Sequence, residues 1–145
     1  MNRRRPALGY TRPVSDAETI PTLAGMLRRS PLVACAWLFG SVARGTATDK
    51  SDVDVAVLCA VRVDPGDAAF LALQDDLTRA LGRPVQVVVA DRAPADLVHR
   101  ILRDGVLLVD ADPSRRIRFE VRRRNEYWDL EPHLLRYRRV SRRAS

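Results

Sequence analysis

The chain has 145 residues, 46% of them apolar and 30% charged, with a formal net charge of +7. That length suits one domain with a modest core, and the composition is that of a globular chain rather than a disordered one. No apolar run approaches the roughly 20 residues that a membrane helix needs, and the basic start Met1-Asn2-Arg3-Arg4-Arg5 is not followed by the apolar stretch of a signal peptide.

Residues 1–14, with Pro6, Gly9 and Pro13, read as a flexible leader. Ser15-Asp16-Ala17-Glu18 has the spacing of a capping box, and a helix is expected from there to Arg29 with Ile20, Leu23, Ala24 and Leu27 on one face. Ser30-Pro31 ends it. Leu32 to Phe39 reads as a buried strand, Gly40 to Lys50 as a loop with one helical turn, and Val53 to Leu58 as a second strand. Asp64-Pro65-Gly66 is a turn. The spacing of Phe70, Leu73, Leu77 and Leu81 predicts a helix over 67–81, stopped by Gly82 and Pro84. Val85 to Ala90 is a third strand, and Pro94 opens a helix through Leu97, Val98, Ile101 and Leu102 that Gly105 closes. Val106 to Val109 is a short fourth strand. A basic helical extension starts at Asp112-Pro113 and is expected to break near Glu131-Pro132. Strands alternating with helices predict an α+β fold: a small mixed sheet packed with helices, carrying C-terminal basic helices at one end. The expected organisation is a leader (1–14), a domain (15–111) and a basic helical extension (112–145).

Chemistry concentrates in the stretch from Leu38 to Asp54. Asp52 and Asp54 are two apart at the start of a strand, so both carboxylates point to one face. Held together in an apolar segment they repel each other, and a divalent cation removes the repulsion. Hard oxygen ligands with open positions for water and phosphate suit magnesium. Gly40 and Ser41 directly follow a strand: the glycine lets the backbone approach a phosphate and the serine adds a hydroxyl donor. Arg44 adds charge from the same loop. A lone Gly-Ser is an ordinary turn and a lone Asp-x-Asp is often surface chemistry; it is the combination, at a spacing of ten residues between two apolar strands, that points to phosphoryl-transfer chemistry.

This pattern resembles that of the DNA-polymerase-β-like nucleotidyltransferases. Gly40-Ser41-Val42-Ala43-Arg44-Gly45, Ser51-Asp52-Val53-Asp54-Val55-Ala56-Val57, the later Asp91-Arg92-Ala93-Pro94, Arg118-Phe119-Glu120 and Tyr127-Trp128-Asp129-Leu130-Glu131-Pro132 are similar to the minimal nucleotidyltransferase group. Members of that group resemble the MntA-type antitoxins encoded beside HEPN-domain toxins. The resemblance implies the nucleotidyltransferase fold and transfer of AMP from ATP, with Mg2+, to a tyrosine of a cognate HEPN toxin, silencing it; a cytoplasmic location is expected from the lack of an apolar membrane span or signal-peptide stretch in the sequence. It implies Asp52 and Asp54 as catalytic and metal-binding residues, and Gly40, Ser41 and Arg44 as nucleotide-binding residues. The chain has no room for the second, substrate-holding domain of larger relatives, so its acceptor is expected to be a partner protein.

The chain departs from the family at one point. The next strand usually carries a third carboxylate, and Gln86 stands at that position in Val85-Gln86-Val87-Val88-Val89. Glutamine offers a carbonyl oxygen but neither charge nor a site for a proton. A positioned base is typically worth ~100 to 10,000-fold in rate. Asp91 is one candidate substitute, unaided activation by the metal another. A third reading keeps the nucleotide pocket but neutralises the partner by contact alone.

The rest of the chain reads more plainly. Cys35 and Cys59, both inside apolar runs, are expected to be small buried residues, unpaired. His99 and His133 lack metal-ligand spacing and read as structural, Asp75-Asp76 as a solvated helix face, and Trp37 as core. Trp128, with Tyr127 and Leu130, either packs on the domain or anchors a partner. Residues 112–145 hold eleven basic side chains against five acidic ones, so nearly all the excess charge lies there, and contact with nucleic acid is an alternative reading of that segment.

Overall fold

The computed structural model describes residues 16–48, 50–64 and 66–143. The leader, the Ser15 end of the capping box and Pro65 of the expected turn lie outside the described residues. Five helices and four strands follow in the order α1 (Asp16–Arg29), β1 (Val33–Phe39), α2 (Gly40–Arg44), β2 (Val53–Cys59), α3 (Ala68–Leu81), β3 (Val85–Val89), α4 (Ala95–Asp104), β4 (Val106–Asp110) and α5 (Pro113–Arg143), with one turn of 3-10 helix at Ala90–Arg92.

The sheet order is β3-β2-β1-β4. β1 runs antiparallel to both β2 and β4, and β2 pairs in parallel with β3, so the expected mixed sheet is present. β1 and β2 are the two central strands, and their near-continuous apolar sequence follows from burial on both faces. One face of the sheet, through Leu38, Val53, Val55, Val57, Val85 and Val87, packs under Leu23 and Leu27 of α1 and Phe70, Leu73, Leu77 and Leu81 of α3. The other face, through Cys35, Trp37, Ala56 and Leu58, packs under Val98 and Ile101 of α4 and Phe119 of α5. Trp37 and Phe119 meet with ring centroids 5.8 Å apart. The result is three layers with the sheet in the middle.

Two expectations need correction. α5 does not break at Glu131-Pro132: it is one helix of 31 residues with Pro132 inside it, where C-terminal helices in the plural were expected. Proline deprives the Trp128 carbonyl of its helical donor, but this part of α5 is exposed, so water can satisfy that oxygen. In α1 the buried row is Thr19, Leu23 and Leu27, while Ile20 is 41% exposed. The helix is thus rotated so that Thr19, not Ile20, starts the inward stripe.

Candidate active site

β1 ends where β2 begins. Their antiparallel pairing sets Phe39 opposite Asp54, and the parallel pairing of β2 with β3 sets Asp54 opposite Gln86. Phe39, Asp54 and Gln86 therefore form one row across the sheet, with Gly40-Ser41 leaving directly from its first member. The alternation along β2 puts Asp54 on the face of Ala56 and Leu58, the side covered by α4 and α5.

Gly40 has φ +75°, and a Cβ there would collide with the Asp54 carboxylate and lie 3.2 Å from its Cγ. Only glycine lets the backbone and this carboxylate share the space. The residues from Gly40 form the short helix α2, which closes at Gly45 in the left-handed conformation. The Ser41 carbonyl accepts from the Thr46 amide at 3.0 Å, tying the loop back on itself.

The segment leading to Asp52 is held from below. Arg83, buried between Gly82 and Pro84, donates from Nη2 to the carbonyls of Thr48 (3.2 Å) and Ser51 (2.7 Å). The Val53 amide donates to the Pro84 carbonyl at 2.9 Å. One arginine thus fixes the backbone immediately before the first aspartate.

These elements border a cleft of about 360 Å³ lined by Phe39, Gly40, Ser41, Arg44 and Asp54 on the sheet side and by Leu97, Arg100, Arg103 and Asp104 of α4 on the other. Asp52 is exposed, does not line the cleft, and acts on Asp54 electrostatically. The Asp54 carboxyl is pushed above its usual range by burial first and by Asp52 second, with Arg44 opposing. Arg103 chelates Asp104 at 3.0 and 2.8 Å and holds its carboxyl below the usual range. Arg44 and Arg100 have no ion-pair partner among the described residues, which leaves two cationic groups facing the cleft.

Asp54, whose charged form is disfavoured by its burial and by neighbouring Asp52, makes with Asp52 a donor set beside an open cleft that fits a hard divalent cation. Gln86 can add only a neutral oxygen. No group of three or more His, Cys, Asp or Glu side chains suited to a metal exists among the described residues. Arg44 from the sheet side and Arg100 from α4 give the cleft two guanidiniums that fit a polyphosphate.

The structure brings Gly40, Ser41, Arg44 and Asp54 into one cleft, and Asp52 acts on Asp54 from outside its lining. It does not bring Asp91 to them: β3 ends at Val89, and Asp91 sits in the 3-10 turn beyond, roughly 14 Å along the chain direction from Gln86. There it faces Arg115 and Arg122 at 3.7 and 3.6 Å. Arg100 and Arg83 were not singled out by sequence reasoning. The helical spacing of Leu97, Arg100 and Asp104 carried the signal for Arg100; Arg83 carried none, being flanked by residues that mark only a helix end.

Cys35 and Cys59 are buried and free, and burial pushes the Cys35 thiol up to about 11. His99 stacks on Tyr127 with centroids 3.7 Å apart, joining α4 to α5, while Trp128 is 64% exposed. Asp75 and Asp76 are exposed and Trp37 is core, as expected. No described helix is long and apolar enough to cross a membrane.

Residues 22–114 match the family model described as Polymerase beta, Nucleotidyltransferase. No curated protein matches the chain. Among solved structures, it is similar to a chain of a toxin–antitoxin complex crystallised with AMP-PNP: 26% identity over 87% of this chain and 98% of that one, TM-score 0.70. It is also similar to a chain in the complex of the tri-AMPylated Shewanella oneidensis HEPN toxin with its MNT antitoxin (23% identity, 90% and 100% of the two chains, TM-score 0.67). The complex MntA-HepT supplies another (23%, 89% and 99%, TM-score 0.65).

Proposed function

Because the chain belongs to the polymerase beta nucleotidyltransferase family, we propose that it is an antitoxin that transfers AMP from ATP to a tyrosine of a HEPN-type toxin in the cytoplasm and so silences it. The observation that carries the reading is the row Phe39–Asp54–Gln86 with Gly40-Ser41 folded against it, facing two unpaired arginines. The solved complex of similar fold that contains AMP-PNP supports it. Residues 15–111 form the transferase unit, and 112–145 the extension.

In this reading Gly40 and Ser41 hold nucleotide phosphates against the end of β1, and Arg44 and Arg100 neutralise their charge. Asp52 and Asp54 would hold Mg2+, which would supply charge neutralisation at the phosphates and help the acceptor lose its proton. The tyrosine oxygen forms a bond to the α-phosphorus, the bond from that phosphorus to the bridging oxygen breaks, pyrophosphate leaves, and the phenol proton passes to solvent. Gln86 cannot take that proton.

The test is label transfer from α-phosphate-labelled ATP, with magnesium, to a co-expressed HEPN partner. Wild type is expected to label the partner and Asp52→Ala to fail while remaining folded. Equal labelling by both removes the metal assignment. Gln86 opposite Asp54 favours a second reading, in which the protein binds nucleotide and blocks the toxin by contact. Asp52→Ala then still protects cells from the toxin.

A further inference from the structure

The far end of the same sheet face carries a second basic cleft. It lies just past the end of β2, at Ala60–Val63, bounded by the 3-10 turn and the first three turns of α5, and has a volume of about 450 Å³. A smaller recess of about 100 Å³ adjoins it. Five arginines converge there: Arg62, Arg92, Arg115, Arg118 and Arg122. Two carboxylates answer them. Asp64 pairs with Arg92 at 2.6 Å, and Asp91 stands between Arg115 and Arg122 at 3.7 and 3.6 Å, beyond hydrogen-bond length. Arg62 and Arg118 have no ion-pair partner among the described residues, and the Nε of Arg115 is buried without a hydrogen-bond partner there. Three guanidiniums are in excess, and Asp91 keeps two of them spread rather than neutralised.

We propose that this cleft binds the phosphate backbone of a single RNA strand. Arg115, Arg118 and Arg122 recur at i, i+3 and i+7, so they line one ridge of α5 over roughly 10 Å, about the span of two nucleotides. Arg62 and Arg92 form the opposite wall. Guanidinium forks match phosphate oxygens bidentately and also stack on unpaired bases. Five guanidiniums against two carboxylates leave a charge excess that a strand with one phosphate per nucleotide meets more fully than a peptide with scattered acidic side chains. The cleft is separate from the nucleotide site: Asp54 on β2 and Ala60 just past its end are six residues apart, roughly 20 Å of extended chain, so one nucleotide cannot fill both. The proposal does not depend on adenylyl transfer.

The experiment is fluorescence anisotropy of a labelled 12-nucleotide RNA titrated with the full chain, at salt concentrations from about 50 to 200 mM. The four arginines not closely paired (Arg62, Arg115, Arg118 and Arg122) predict a slope of log K against log salt near about −3, at ~0.7 per phosphate. The variant Arg62→Gln/Arg118→Gln/Arg122→Gln changes only exposed side chains, so its fold, checked by circular dichroism and ATP binding, is expected to persist. It is expected to bind RNA at least ~10-fold more weakly, with a slope shallower by about two. A comparison variant, Arg136→Gln/Arg138→Gln/Arg139→Gln, sits on the distal half of α5 and is expected to bind nearly as well as wild type. Absence of RNA binding at the lowest salt overturns the proposal. So does a loss confined to the distal variant, and so does a cleft that takes inorganic tripolyphosphate or an acidic peptide but not RNA.

Discussion

Gly40 meets two separate demands, and its neighbour Gly45 meets only one. Both have φ near +70°, but a Cβ at Gly40 runs into the Asp54 carboxylate, whereas a Cβ at Gly45 meets nothing within 4 Å. Left-handed backbone disfavours alanine by about 1–2 kcal/mol. Both Gly40→Ala and Gly45→Ala are therefore expected to lower Tm by several degrees, roughly 3–8 °C. Only Gly40→Ala is expected to lose label transfer, since it displaces a metal-ligand candidate. Thermal melts and transfer assays on the pair separate strain from chemistry. If Gly45→Ala loses transfer equally, α2 rather than the contact with Asp54 is what matters. Gln86 offers the opposite experiment, a gain. Its backbone already pairs with Asp54, so Gln86→Asp puts a third carboxylate on the neighbouring strand, opposite Asp54. Transfer is expected to rise, by up to the ~100-fold lower bound for a positioned base. A fall would mean that the neutral amide is itself the functional group. The residues named so far were legible in the sequence because they lie within one local segment and its partner strand. Arg100 enters only through the packing of α4 over the sheet.

At the scale of elements, the junction of α3, β3 and the loop before β2 depends on one side chain. Arg83 sits at the helix end, is 8% exposed, and spends Nη2 on two carbonyls of the 48–51 segment. A charged donor to two carbonyls contributes about 1.5–3 kcal/mol per bond, less what the buried charge costs in lost hydration. Arg83→Met keeps the apolar stem and removes the donors. Global stability is expected to fall by about 2 kcal/mol, and amide exchange of residues 48–53 to accelerate. Transfer is expected to fall ~10-fold, the lower end for a group that orients a metal ligand. Unchanged exchange in that segment would show that the Val53 to Pro84 hydrogen bond suffices. The sequence marks Arg83 only as part of a Gly-Arg-Pro helix stop, because its role is made by chain segments more than thirty residues away. Periodicity did better where burial is one-sided: Phe70, Leu73, Leu77 and Leu81 are the buried row of α3, as their spacing implies. It did worse in α1, where buried Thr19 displaces Ile20 from the inward stripe. It also failed at Pro132, where a proline rule for helix interiors meets an exposed helix that no packing forces to bend.

For the whole molecule, the contrast that matters is between the two halves of α5. The first half is fastened to the three-layer body: Phe119 is buried against Trp37, Arg123 donates to the Ala93 carbonyl, and Tyr127 stacks on His99. Beyond Leu130 almost every side chain is exposed, including Leu135, Tyr137 and Val140. Helical stability in proteins comes mainly from burying an apolar face, and this stretch buries little, with Pro132 weakening it further. A chain ending at Leu130 retains every one of those fastenings. Its Tm is expected to stay within about 2 °C of the full chain, a shift that corresponds to less than 1 kcal/mol for a domain of this size. Its far-ultraviolet circular dichroism is expected to fall only by the helix removed. The removed part holds the distal arginines but none of the five in the second cleft, so RNA affinity is expected to be largely retained. A fall in Tm of 10 °C or more would mean that residues 131–143 stabilise the body through contacts made in solution, and the exposed apolar side chains there would be the first to substitute.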